Sequence, residues 1–301
     1  MGAGHSHDIS GSAAGRHRWR LVVAFILVGG FFGVELVVGL ISQSLALLSD
    51  AGHMAADVTT LGAALIATRL AAKPDSSGRR TYGRYRAEIF ASGFAVLVML
   101  GVSIYIAIEA ISRIGNAPEI ATGMVLVVGA LGLVINIISM FLLRSGAKES
   151  LNLKGAYLEV LADTLGSVGV IVAGLMVSWT GNVWWDTGIA LFIAIFVAFR
   201  ALILAREVLR VLGQHAPAGM EPSEILQTLE SVPGVVEVHD LHVWTLTSGM
   251  DVATAHLVAQ PDNGPEVLSA SADALKEKFG IAHATLQVES PDKKECTGAD
   301  W

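Results

Sequence analysis

The sequence predicts a polytopic α-helical membrane protein with six transmembrane helices and a C-terminal cytoplasmic α+β domain. Three observations carry that expectation. Apolar runs long enough to cross a bilayer recur through the first two thirds of the chain, lysines and arginines fall in alternate loops, and beyond residue 206 the text becomes that of a small soluble domain. Of 301 residues, 53% are hydrophobic and 16% charged, which is too apolar for an ordinary soluble domain and places the excess in lipid. The formal net charge of -7 is unevenly spread, so it says little about partners. The single cysteine, Cys296, excludes a disulfide framework or a cysteine-rich metal cage within one chain.

A hydrocarbon core of about 30 Å needs roughly 20 mostly apolar residues per helix. Six runs qualify: Leu21–Ile41, Ser44–Ala72, Ala87–Ile111, Ile120–Leu143, Leu151–Trp179 and Asp186–Leu204. Arg16, Arg18 and Arg20 imitate the basic start of a secretory signal, but no small-residue cleavage site follows, so the first run is expected to be an uncleaved helix. Basic residues gather in the N-terminal segment, in the Lys73–Arg86 loop, in Arg144–Lys148 and after Arg200, whereas Ser42–Gln43, Gly115–Glu119 and Thr180–Trp185 carry none. The positive excess marks the cytoplasmic side. A multi-pass protein of the cell inner (cytoplasmic) membrane with both termini in the cytoplasm is therefore expected, and the basic loop suits anionic lipid headgroups.

The expected domains are a flexible His-containing tail over 1–18, the helical domain over 19–206, the cytoplasmic domain over 207–290 and a C-terminal tail over 291–301. In the cytoplasmic part, Pro222 precedes Ile225, Leu226, Leu229 and Val232 at helical spacing. Strands are expected at Val235–Leu246 and Asp251–Ala259 around a Thr247–Gly249 turn, and a second helix at Pro265–Phe279. In Ile281–Glu289, Ala282, Ala284, Leu286 and Val288 alternate with His283, Thr285, Gln287 and Glu289, the mark of a half-buried strand.

Two of the six spans carry ionisable residues in i,i+4 pairs, and such residues are costly at membrane depth and mark function by default. His53 and Asp57 are four apart on the second span, and Glu159 and Asp163 are four apart on the fifth, so each pair projects from one helical face. If the faces oppose, an imidazole and three carboxylates converge. That set suits tetrahedral zinc, with cobalt, iron or cadmium held less selectively. The same groups bind protons, so protonation competes with the metal and offers a route to exchange. The blander alternative is polar glue between helices, but two i,i+4 pairs on separate spans favour ligands. A short internal similarity supports this pairing: Ser44-Leu45 and Ser150-Leu151 each precede the first member of a pair by nine positions.

These residues resemble the cation diffusion facilitator family, in its zinc, cadmium and cobalt exporter branch. The resemblance rests on Ser44-Leu45-Ala46-Leu47-Leu48-Ser49-Asp50-Ala51-Gly52-His53-Met54-Ala55-Ala56-Asp57, on Arg80-Thr81-Tyr82-Gly83 with Arg86-Ala87-Glu88, on Gly155 to Asp163, and on His239-Asp240-Leu241-His242-Val243-Trp244. It implies a homodimer that alternates between inward- and outward-open states and exports zinc against protons, with a cytoplasmic domain of ferredoxin-like fold. It also implies cytoplasmic metal ligands at His239, His256 and Glu289. Many zinc exporters of this branch carry histidine where this chain has Glu159; a carboxylate is a harder ligand, which brings cadmium, cobalt, iron or manganese into range. Some members add a histidine at the position of Gln287.

Asp50, three residues before His53, is a candidate for metal uptake at the cytoplasmic mouth or for proton relay, with capping or an ion pair to a loop arginine as the alternative. Glu35 and Asn136 are expected to make interhelical hydrogen bonds. In regular strands His239 and His242 would point to opposite faces, and His283 and Glu289 lie too far apart to share an ion. His5 and His7 offer alternating imidazoles in an exposed tail. No glycine-rich phosphate loop appears, so ATP hydrolysis has no visible machinery and ion gradients must drive transport; neither an enzymatic activity nor a nucleic-acid partner is expected. Rival readings are an alkali-cation/proton antiporter, which His53 argues against, and a membrane-anchored metal sensor, which would not need convergent ionisable groups at membrane depth.

Overall fold

The structure, a computed structural model, describes residues 18–71, 79–114, 118–144, 151–260 and 263–291. The chain divides into two compact units. The first contains six helices: α1 (Arg18–Ser42), α2 (Leu45–Ala71), α3 (Ala87–Ser112), α4 (Thr122–Arg144), α5 (Leu151–Thr180) and α6 (Trp184–Leu212). The shortest, α4, has 23 residues; at about 1.5 Å per residue it reaches across a bilayer core. Among the described residues five helices are long and apolar enough to cross a membrane, and α2, with 27 residues, carries the ionisable groups that thin its hydropathy. Outward-facing Phe90, Leu97, Phe141 and Phe192 are exposed, as lipid-facing side chains must be.

Where helices meet, small residues allow close approach, since packing rather than hydrophobic exclusion joins helices in lipid. A Cβ on Gly132 of α4 would come within 2.8 Å of Phe31 of α1, and one on Gly166 of α5 within 2.7 Å of the Asp50 carboxylate on α2. Helix α1 packs on α2 and α4, α4 on α5, and α2 on α5, so α2 and α5 are neighbours. Asn136 donates to Ser167 Oγ at 3.2 Å, an interhelical bond between α4 and α5. Glu35 differs from expectation: it is buried, yet its Oε2 has no hydrogen-bond partner among the described residues.

The sixth helix runs to Leu212, eight residues past the end of its apolar run. Loss of hydropathy marks the end of lipid contact, not of helical structure, and Ala205–Leu212 contains only good or acceptable helix formers. At its other end Asp186 serves α2. Ser44 caps α2 by accepting from Leu47 N at 3.2 Å. Asp186 accepts from Leu45 N at 2.7 Å, Ala46 N at 3.3 Å and Ser44 Oγ at 2.6 Å, so a buried carboxylate from another helix satisfies amides that a helix start leaves open.

The second unit comprises residues 79–89 and the chain from Arg206 onward. After Pro222 opens α7 (Pro222–Glu230), the chain forms β1 (Val235–Thr247), β2 (Met250–Ala259), α8 (Gly264–Phe279) and β3 (His283–Glu289). The sheet order is β1-β2-β3, with β1 antiparallel and β3 parallel to the central β2. Gly249 (φ 73°) turns the hairpin, and Gly280 (φ 72°) ends α8, its N–H donating back to Lys276 O. Ile225 and Leu229 of α7 and Val267 and Leu275 of α8 pack with Val238, Val243, Ala253, Ala255 and Leu257. Both helices thus cover one face of the sheet. The other face carries Glu237, His239, His242, His256, Gln287 and Glu289 beside Trp244, Val252 and Val258.

Candidate metal centres

Helical periodicity alone presents His53 and Asp57 on one face of α2. His53 is buried, its Nε2 lies 3.7 Å from Asp57 Oδ2 and 2.7 Å from Asp163 Oδ1 of α5, and one ligand atom from each of the three falls within 4.8 Å of the others. Two helices of the bundle therefore bring an imidazole and two carboxylates to one point. Glu159 stands on α5 one turn before Asp163; its side chain lies outside the described residues. Asp50 is buried one turn from His53, against Gly166, inside the bundle rather than at its rim.

A further group at this point escaped the sequence reading. Arg200 of α6 donates from Nη1 to His53 Nε2 at 2.9 Å. On the sequence it opens the basic stretch that marks a cytoplasmic flank, yet between Asp186 and Arg206 it is the one charged residue in an otherwise apolar run. That isolation was the available signal. Contact between Ser44 and Asp186 sets the starts of α2 and α6 at one level. Nine residues on, His53 stands about 14 Å along α2, and fourteen residues on, Arg200 stands about 21 Å along α6. Side chains lean towards the helix N-terminus, so a long arginine covers the difference.

The second cluster lies on the open face of the sheet. His239 Nε2 is 3.5 Å from Glu289 Oε2, His256 Nδ1 is 2.9 Å from Glu289 Oε1, and the two imidazole rings meet edge to face at 5.3 Å. One ligand atom from each again falls within 4.8 Å of the others. Cross-strand register explains His239 and His256, which are direct partners, while Glu289 comes from β3, opposite Val258. Gln287 donates to Glu289 Oε1 at 2.7 Å and so orients that carboxylate. Two imidazoles and a carboxylate fit a zinc-type ion.

The expectation for His242 is corrected. His239 pairs with His256 but His242 pairs with Thr254, three residues against two. The extra residue is Asp240, held at φ 52°, and this β-bulge restores phase so that both histidines share the open face. Asp240 then lies between His242 and His256, with Oδ1 2.9 Å from His242 Nε2 and Oδ2 3.8 Å from His256 Nε2. A period of two assumes an unbroken ladder, which the sequence does not reveal. His283 stays apart from Glu289 and meets the Tyr82 ring at 5.7 Å, and Thr247 donates to Glu88 at 2.8 Å, tying residues 79–89 into this unit. His5, His7, Lys73 and Cys296 lie outside the described residues.

Residues 21–212 match the cation efflux transmembrane domain, and residues 217–291 match the cytoplasmic domain of cation efflux proteins. The chain belongs to the cation efflux family. It is 44% identical to the metal cation efflux system protein CzcD of Cupriavidus metallidurans over 291 residues, 96% of this chain and 90% of that protein. Similarity extends to the cadmium, cobalt and zinc/H(+)-K(+) antiporter of Bacillus subtilis, at 35% over 95% of this chain and 92% of that one. With the zinc transporter ZitB of Escherichia coli it shares 34% over 100% of this chain and 95% of that protein. As a member of the cation efflux family, the chain is a divalent metal cation exporter and a multi-pass membrane protein.

Proposed function

We propose that the chain exports zinc from the cytoplasm in exchange for protons, with His53, Asp57, Glu159 and Asp163 as the transport ligands. The observation that carries this is the meeting of His53, Asp57 and Asp163 at one point between α2 and α5, where ionisable groups are costly unless used. Both carboxylates and the neutral imidazole accept either a metal ion or a proton, so loading with one expels the other. Cadmium and cobalt belong to the same range, because carboxylate-rich sites discriminate weakly among divalent ions and the similar antiporter of Bacillus subtilis is named for cadmium, cobalt and zinc.

His239, His256 and Glu289 would hold a second ion that stays with the protein, there as a fixed crosslink between strands. The chain acts as a homodimer, with both termini on the cytoplasmic side by the placement of its basic loops, and it is not an enzyme. The test is metal uptake into proteoliposomes containing only this protein, with zinc, cadmium, cobalt and manganese each followed alongside internal pH. Zinc entry coupled to proton exit is expected. Metal-independent proton leak, or zinc movement that survives loss of all four transport ligands, would overturn the proposal.

A further inference from the structure

The Nε2 atom of His53 faces two groups that it cannot satisfy together. An imidazole nitrogen carries either a proton or a lone pair. With the lone pair it accepts from Arg200 at 2.9 Å, and the Asp163 oxygen at 2.7 Å then abuts another acceptor. With the proton it donates to Asp163, and the guanidinium N–H faces an N–H. The arrangement is that of ligands gathered around positive charge, with Arg200 supplying the charge. The other ring nitrogen, Nδ1, is buried without a hydrogen-bond partner among the described residues, so the cluster forms on Nε2 alone.

We infer that Arg200 is a tethered competitor of the transported ion: its guanidinium and a divalent cation contend for the same lone pair of His53 and the same carboxylates. This rests on the transport-site reading above and deepens it. An arginine keeps its charge throughout, so it holds the acidic cluster in a low-dielectric interior when cargo leaves and must withdraw when cargo enters. Its presence weakens equilibrium binding and speeds release. Without it, two carboxylates and an imidazole attract a divalent ion unopposed, and an exporter that binds too tightly turns over slowly. The reach from α6 matters as well, because a withdrawn guanidinium remains on a helix that packs at the site and returns as the ion departs.

The test compares wild type with Arg200→Gln, Arg200→Lys and Arg200→Ala in the full chain, each also carrying His239→Ala and His256→Ala so that only the membrane site is read. Cobalt is the probe, its absorption reporting coordination in detergent and its uptake reporting transport in proteoliposomes. Expected for Arg200→Gln is a cobalt Kd lower by about tenfold or more, given the strength of a nearby charge in a poorly screened site. KM should fall with it and kcat should fall too, with Arg200→Lys between the two. Guanidinium ion added to Arg200→Ala should raise the apparent Kd competitively, an effect that a merely structural role would not produce. A Kd that is unchanged or higher in both Arg200→Gln and Arg200→Lys, or no competition by guanidinium in Arg200→Ala, overturns the inference. Failure of the transport reading would show separately, as wild-type uptake no greater than that of Asp163→Ala.

Discussion

The two metal-type clusters of this chain make the same number of ligand atoms converge within the same span, by different means. In the membrane unit, one imidazole and two carboxylates come from two helices, and a guanidinium stands beside them. In the cytoplasmic unit, two imidazoles and one carboxylate come from three strands, and a neighbouring amide holds the carboxylate in place. Helices that pack through small residues can tilt past one another, whereas paired strands are locked by their ladders. On the proposed reading, the first site would be emptied in each cycle and the second would keep its ion. Histidine-rich ligation suits retention of zinc, and carboxylate-rich ligation beside a tethered, movable cation suits exchange.

Asp163→Ala should break this comparison most severely. It removes the carboxylate closest to His53, and proteoliposome zinc uptake is expected to fall by about two orders of magnitude, the upper range for disturbing a metal's surroundings, while the detergent-solubilised protein keeps its helical circular dichroism. Replacing His256 by Ala should do the converse. Metal analysis after exhaustive dialysis should show one tightly held zinc fewer per chain, with a smaller loss of uptake than in Asp163→Ala. If the two substitutions had interchanged effects, the assignment of exchange and retention would be reversed.

Asp186→Ala addresses stability rather than ligation. It strips acceptors from buried donors at the start of α2, so a loss of roughly 3 kcal/mol should appear as a lower unfolding temperature in detergent, and uptake should decline because α2 carries His53 and Asp57. The smallest change is expected from Glu159→His. A histidine is a softer ligand, so zinc uptake should persist while the ratio of manganese to zinc uptake falls; equal loss of every metal would contradict it.

The membrane site was largely legible in the sequence because the α-helical period is rigid. Once α2 and α5 were recognised as helices, His53 had to share a face with Asp57, and Glu159 with Asp163, although nothing in that spacing states that the faces oppose. Arg200 was not legible as a site residue, since hydropathy averages over a window and a lone arginine near a span's end reads as a flank. On the sheet, alternation in β3 placed Glu289 on the open face with Gln287, but the partnership of Glu289 with His239 depends on β3 running parallel beside β2, a long-range choice that local pattern does not encode. The bulge at Asp240 is another such choice: a single residue in left-handed backbone changes which histidines face the same way. The Leu212 end of α6 was missed because apolarity reports the solvent, not the backbone.

Asp186 has a mechanical consequence. It joins the start of α2 to the start of α6 through three hydrogen bonds, and Ser49 Oγ donates to Ala190 O at 3.2 Å a turn further on. Fastened at one extremity, α2 has little freedom to slide along its axis, but its far part can swing like a door on that hinge. A swing carries Asp57, thirteen residues from Ser44, through a wider arc than His53, nine residues away. On the proposed transport reading, Asp57, farthest along α2, should therefore be the first to let go of the ion.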